Sequence, residues 1–451
     1  MKYLWLFGVL VLAACTPQLR VAGPDGVAPV RLDFPAMRSF AAASPGPARR
    51  PNAQIARDFS DLIFQLESGR PIPVFTRFEG PVTVAFNGPV PAHLAADLDG
   101  LLARLRAEAG IDIRQITGGD AAIQIELVPP RQLQRAAPGA ACFVVPRVRD
   151  WAALRRNRQS PLIDWTTLQV RDRAAVFIPD DATPQEMRDC LHEELAQALG
   201  PLNDLYHLPD SVFNDDNMHA VLTGFDMLIL RVTYAPALRS GMTQAEVMAR
   251  VPGILERINP AGAGGAAPIA APTTRDWTQA IITALGGTAS RGVRQQAAAQ
   301  AVAIGQARGW TGARAGFAQY VFGRLQIGTD PSLALGAFNA ATRAYTGDPN
   351  LRIHAAHVAQ QQAAFALIAR DPEAILALTG PAITVARQHE NAALMAVLMM
   401  LRAEALDLQG QPEAAMALRL DSLGWGLYGF GDRDTVIERL NEIASLSRLP
   451  S

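Results

Sequence analysis

Thr183-Pro184-Gln185-Glu186-Met187-Arg188-Asp189-Cys190-Leu191-His192-Glu193-Glu194-Leu195-Ala196-Gln197-Ala198-Leu199-Gly200 is the stretch on which the reading of the fold turns. Thr183 stands where a helix cap is needed, and Pro184 takes the first helical position, where a missing amide hydrogen costs nothing. Glu186 completes a capping box, and Gly200 supplies the stop. A helix over Pro184 to Leu199 follows. Just before it, Ala174 to Ile178 reads as a strand, separated from the helix by the turn Pro179-Asp180-Asp181-Ala182. Further upstream, Pro81 to Phe86, Ile111 to Ile116, Ala121 to Val128 and Cys142 to Val145 read as strands, several of them rich in β-branched residues. A helix opening at Pro91 carries Leu94, Leu98, Leu101, Leu102 and Leu105 as one apolar stripe. Phe59-Ser60-Asp61-Leu62 reads as a short helix before the turn at Gly69-Arg70-Pro71. A strand, a helix, several strands and a closing helix make an α+β domain over residues 55–258, with a mixed sheet and two principal helices.

The closing helix carries the one motif with chemical content. A zinc peptidase helix needs two histidines one turn apart, with a glutamate beside the first as general base. Counted from His192, the second ligand position is Ala196, which binds no metal, so His192 reads as a packed or surface histidine. Counted one residue later, Glu193-Glu194-Leu195-Ala196-Gln197-Ala198-Leu199-Gly200 lies on HExxHxLG, and Asn203 falls where the extended motif has its third histidine. Downstream, Ser211-Val212-Phe213-Asn214 resembles the Met-turn of the metzincins, with Phe213 at the methionine position. Leu222-Thr223-Gly224-Phe225-Asp226, continuing to Leu228, Leu230, Val232 and Tyr234, resembles their closing helix. The resemblance implies a zincin-like fold in which Glu194 matches the catalytic base and the three zinc positions are replaced by Glu193, Gln197 and Asn203. The segment from Phe59 to Met242 is also similar to a bacterial lipoprotein family carried only as domain of unknown function 2927, on GRPIPVFTRFEGPVTV, LHEELAQALG, SVFNDD and LRVTYAPALRSGM. That family has no assigned activity.

Carboxylate, amide and amide form a poor zinc set, since zinc prefers imidazole or thiolate. Asp204, His207, Asp215 and Asp216 in the following loop are the further candidate ligands. The expected role of Gln197 and Asn203 is to hydrogen-bond in place of an ion, and no metal or cofactor is expected. The chain has no GxSxG elbow and no phosphate-binding GxxxxGK[ST] loop.

The amino terminus points outward from the cytoplasm. Lys2 precedes an apolar run from Leu4 to Ala14, too short to span a bilayer comfortably. Leu12-Ala13-Ala14-Cys15 resembles the lipobox of bacterial lipoproteins, which implies a signal peptide over 1–14 and lipidation of Cys15. Several acyl chains on one residue give stable anchoring where one would not. Thr16 stands where an inner-membrane retention signal would have Asp, so the periplasmic face of an outer membrane is expected. Residues 15–54, rich in Ala, Pro, Gly and Arg, read as a flexible tether. After lipidation two cysteines remain, Cys142 and Cys190, either bridged, as an oxidising compartment favours, or free and buried. Hydrophobic residues at 49% and charged residues at 18% allow sizeable cores. A net charge of −1 argues against a nucleic-acid partner, which needs a basic excess.

A linker over 259–275, containing AGAGGAAPIAAPTT, leads to an all-α domain over 276–451. Arg370-Asp371-Pro372-Glu373-Ala374 and Gly410-Gln411-Pro412-Glu413-Ala414 are alike at about forty positions' spacing, within the range of helical repeats. Each follows a long helix, His354 to Ala369 and Ala392 to Leu408, and opens one expected to be shorter. Asp330-Pro331 and Asp348-Pro349 are candidate openings of further hairpins. The pattern resembles tetratricopeptide units and implies a concave surface for a peptide or protein. Trp425-Gly426-Leu427-Tyr428-Gly429-Phe430-Gly431 reads as a loop before a final helix, Asp432 to Leu446. It serves either as a cap on the last hairpin or as a partner-binding patch. The functional expectation is a non-catalytic envelope lipoprotein that binds a protein or peptide. The alternative is an atypical hydrolase using Glu194.

Overall fold

The computed structural model describes residues 34–40, 46–48, 50–265 and 271–448, so the expected signal peptide over 1–14 and the expected lipidation site Cys15 lie outside the described residues. The chain builds α1 (Asn52–Phe64), β1 (Val82–Phe86), α2 (Ala92–Arg104), β2 (Ile113–Gln115) and β3 (Ile123–Val128), then α3 (Pro130–Ala136), β4 (Phe143–Pro146), α4 (Trp151–Asn157), β5 (Ala174–Pro179) and α5 (Pro184–Leu199). Three more helices complete the first region: α6 (Gly224–Thr233), α7 (Gln244–Met248) and α8 (Val251–Ile258). The strands form one mixed sheet in the order β2-β1-β3-β5-β4, parallel except for the antiparallel edge strand β4.

Alternation along β5 shows why the sheet is covered on both faces. Ala174, Val176 and Ile178 join the large core formed with α1, α2, α5 and α6. Ala175 and Phe177 point the other way, into a smaller cluster with Leu133 of α3 and Trp151 and Leu154 of α4. Period-2 side-chain direction with both sets apolar is the signature of a doubly covered strand. The disulfide between Cys142 and Cys190 joins the start of edge strand β4 to α5, with a Cα–Cα distance of 5.9 Å. It fastens the helix to the edge of the sheet.

Both ends of α5 are held by specific chemistry. Thr183 and Glu186 form the reciprocal capping box. At the other end the buried Arg171 guanidinium donates to the carbonyls of Gln197 (2.6 Å), Ala198 (2.8 Å) and Gly200. The Tyr234 hydroxyl donates to Leu199 at 3.1 Å. These are the carbonyls that a helix end leaves without intrahelical partners.

The rest of the described chain is all-helical: α9 (Arg275–Leu285), α10 (Arg291–Ala307), α11 (Gly312–Gln326), α12 (Pro331–Tyr345), α13 (Arg352–Ile368), α14 (Pro372–Gln388), α15 (Ala392–Leu408), α16 (Pro412–Phe430) and α17 (Arg433–Leu446). From α9 to α17 each helix packs on the next. Arg370 and Gly410 hold equivalent left-handed corners, at φ 55° and 74°, before Pro372 and Pro412 open α14 and α16. Asp330-Pro331 does open a helix, while Asp348-Pro349 opens a 3-10 turn leading into α13.

Two expectations for this region are corrected. The helices opened by Pro372 and Pro412 are not short: they run 17 and 19 residues. The segment Trp425 to Phe430 is not a loop but the last turns of α16. Its glycines serve close approach rather than a turn. A Cβ on Gly429 would stand 2.6 Å from the Ala393 backbone, and one on Gly426 would stand 3.0 Å from Val436; a Cβ on Gly424, just before the segment, would stand 2.8 Å from Arg38.

Within the stretch read as a tether, Phe34 to Phe40 lies along α16. The Arg38 amide donates to the Gly424 carbonyl at 3.0 Å, and its guanidinium pairs with Asp421 at 2.6 Å. Phe40 packs on Trp425 with ring centroids 4.7 Å apart. Two aromatic residues in an otherwise Ala- and Pro-rich run give it enough area to dock. No helix among the described residues is long and apolar enough to cross a membrane.

Candidate functional site

On α5, Gln185, Glu186, Asp189, Cys190 and Glu193 share one face, as helical spacing requires. That face and the loop from Val212 to Ala220 form one wall of a cavity of about 470 Å³. The opposite wall comes from the helical region, with Phe317 and Val321 of α11, His357 and Gln361 of α13, Asn391, Phe430, and Arg439 of α17. A volume of this size suits a small ligand or a short stretch of peptide.

The loop is shaped by the cap of α6. Asp226 accepts from the Ser211 hydroxyl (2.5 Å), the Val212 amide (3.1 Å) and the Thr223 amide (2.8 Å), so one buried carboxylate holds both the SVFN turn and the helix start. Burial outweighs those donors and raises the Asp226 carboxyl to about 6. Phe213, fully buried, plugs the core beneath the turn.

Polar contacts close the seam around the cavity. Arg188 of α5 forms a buried ion pair with Glu390, a non-glycine residue held at φ 52°. Gln185 donates to Asn391 at 3.2 Å and accepts from the Ala393 amide at 2.9 Å. Tyr428 donates to Asp97 at 2.6 Å, and the Asp216 carboxylate meets the His354 ring at 2.9 Å. His219 lies between His354 and His389, with ring centroids 5.7 and 5.2 Å away. Burial, then the neighbouring imidazoles, lowers His219 to about 4 and His389 and His357 to about 3. These rings are neutral in ordinary buffers. Apolar contacts complete the joint: Tyr206 meets Trp277 edge-on at 5.0 Å, and Met218 sits in the core of the helical region.

The residues singled out from the sequence are not gathered into one constellation. Glu193 lines the cavity. Glu194 is 1% exposed and is not among the lining residues. Gln197 donates to Asp204 at 3.4 Å, while the Asn203 amide is turned to the Asp61 carbonyl of α1 at 2.9 Å. His192 is buried, and its Nδ1 accepts from the Leu222 amide at 3.1 Å, which requires a neutral ring on that side. Burial, followed by Arg188 and Arg104, holds its pKa well below the usual histidine range. Of the further candidates, Asp215 and Asp216 line the cavity, and His207 faces Asp58 at 3.3 Å. Among the described residues, no three His, Cys, Asp or Glu side chains are grouped so that they could hold a metal ion. The zinc that a metzincin resemblance implies does not fit here, with an amide spent on α1 and no imidazole at any of the three positions.

Sequence reasoning missed the second wall. His354, His357, Gln360 and Gln361 recur at helical spacing in an alanine-rich helix, and all four are buried. Polar residues on the inner stripe of such a helix are the signal that could have found them.

No curated protein and no solved structure matches the chain. Residues 52–253, somewhat under half of the chain, match the family described as "Protein of unknown function (DUF2927)".

Proposed function

We propose that this chain is a lipid-anchored protein of the cell envelope that binds a peptide or a segment of another envelope protein without cleaving it. The observation that carries the reading is the cavity between α5 and the helical region, on the helix face where the peptidase-like motif places Glu193. A mixed sheet with two principal helices, α2 and α5, supports a zincin-like domain, and consecutive packed helices support a tetratricopeptide-like array. The lipobox-like Leu12-Ala13-Ala14-Cys15 and the disulfide support export to an oxidising compartment. Hydrolysis through Glu194 has less support, because a base must reach the scissile group and Glu194 does not line the cavity.

The test is equilibrium dialysis of the full-length chain, in detergent, against a pool of random pentapeptides read by mass spectrometry. Wild type should concentrate a subset of intact peptides, and an Ala220→Trp variant with an unchanged thermal transition should not. Equal partition with both proteins would sink the reading. Cleaved products that disappear in Glu194→Gln would replace it with the hydrolase.

A further inference from the structure

Most of the charged side chains that line the cavity are already engaged. Glu193, Asp215, Arg324 and Arg439 each have interactions of their own. Asp216 is paired with His354, Glu186 closes the capping box of α5, and Arg294 donates to the Ala284 carbonyl at 2.9 Å. A ligand recognised by charge would have to compete with those contacts.

The lining also holds polar groups that are not engaged, and these are neutral. Gln360 and Gln361 of α13 line the cavity while only 4% and 6% exposed. Among the described residues, neither side-chain amide has a hydrogen-bond partner. Burying an amide without a partner costs free energy, so two such amides at one cavity point to an occupant that pairs with them. On the facing wall, Asp189 of α5 lines the same space, and its Oδ1 is buried without a hydrogen-bond partner. Burial, then Glu186, raises its carboxyl well above the usual carboxylate range. Asp189 therefore favours the neutral acid, which donates through one oxygen and accepts through the other. Apolar side chains share the lining, among them Phe317, Val321, Leu325 and Phe430. A glutamine amide carries an N–H donor and a C=O acceptor side by side. An extended residue turns its own N–H and C=O to one side, so a single glutamine can take up both.

We propose that the cavity takes a short apolar stretch of polypeptide in extended form, held by its backbone amides on Gln360, Gln361 and Asp189 and not by charged ends. Its side chains lie against the apolar lining. This rests on the reading of the cavity as a peptide site and narrows it to ligands whose termini are not read. Each backbone hydrogen bond lost weakens binding by about two- to tenfold.

The experiment uses saturation-transfer NMR and titration calorimetry on the full-length chain, in detergent, with tripeptides of Ala, Leu and Phe. Each is offered free and with both ends blocked by acetyl and amide groups, and the tightest blocked binder is then N-methylated at each residue in turn. Blocked tripeptides should bind at least as tightly as free ones. N-methylation at one or more positions should weaken binding by about two- to tenfold. The paired change Gln360→Leu and Gln361→Leu, close in volume, should weaken the parent peptide and remove most of the methylation penalty. Asp189→Asn keeps a neutral donor and should bind like wild type, whereas Asp189→Leu should bind more weakly. If the paired variant fails to fold, the methylation scan on wild type decides alone. Binding that blocking abolishes, or that N-methylation leaves unchanged at every position, would overturn the proposal and leave a peptide site of another kind. Binding of no tripeptide would also overturn it; the pentapeptide dialysis then decides separately whether longer chains bind.

Discussion

Replacing Arg171 with methionine should destabilise the first region by about 3 kcal/mol, the balance of two larger effects. The guanidinium is buried and is the donor to three carbonyls at the end of α5. Leaving a buried carbonyl without a donor costs about 1–3 kcal/mol, so the three together amount to roughly 6 kcal/mol. Against this, the fold holds a cation it would rather not hold: burial pushes the Arg171 guanidinium from 12.5 down to about 10. That displacement is worth about 3 kcal/mol of unfavourable desolvation, which the methionine removes. The net loss should lower the transition temperature by roughly 6–12 °C for a region of about two hundred residues. Differential scanning calorimetry of wild type and Arg171→Met measures it. Arg147→Met is the control, since Arg147 donates to Thr167 at the surface and should shift the transition little. If the two variants melt within a degree or so of each other, the carbonyl clamp is not what holds α5.

Replacing both Cys142 and Cys190 with alanine opens a cross-link between residues 48 apart and should cost about 4 kcal/mol by loop-closure entropy, read by urea unfolding. Titration of denatured, unreduced protein should show neither thiol reacting. Gly429→Ala puts a methyl against the Ala393 backbone and should cost about 1–3 kcal/mol, whereas Gly336→Ala, where space is open, should stabilise its helix slightly; thermal melts of both check this. His219 has its pKa lowered to about 4, so as pH falls below about 6.5 the unfolded chain takes up a proton that the folded chain refuses. Its contribution is therefore present above about pH 6.5 and is lost as pH falls towards 4, up to about 3 kcal/mol. His219→Gln should flatten that part of the stability–pH curve by a similar amount, and an unchanged curve would remove the histidine from the account. Cys15→Ser should abolish incorporation of a palmitate analogue and release the chain from membranes on fractionation.

Legibility in the sequence followed how local the deciding physics is. The span of α5 was readable to the residue because its cap, its first-position proline and its stop all lie within the segment. The strands of the sheet were readable to within two residues, since period and turn residues mark them. The order β2-β1-β3-β5-β4 was not, because pairing is decided by which faces need covering. The glycines of α16 misled for the same reason. A glycine run reads as a turn unless one knows that Val436 presses against Gly426 and Ala393 against Gly429. At the site, Glu193 and Cys190 were within reach, as they belong to a motif and a pair. The arginines that line the opposite side were not, since Arg291, Arg324 and Arg439 lie on three helices separated in sequence and come to one cavity only through packing.

The docked segment Phe34 to Phe40 also sets the molecule's mechanics. From Cys15 to Phe34 are 19 residues, which reach at most roughly 65 Å when fully drawn out. With a lipid on Cys15, that is the longest leash between the bilayer and the body, and its fixed end is α16. Phe40 also lies over the Arg188 guanidinium at 5.6 Å. Tension on the anchor is therefore delivered beside the ion pair that joins the two regions, well before it reaches α1. With that lipid in place, a pull from the membrane would reach the seam, and with it the cavity, first.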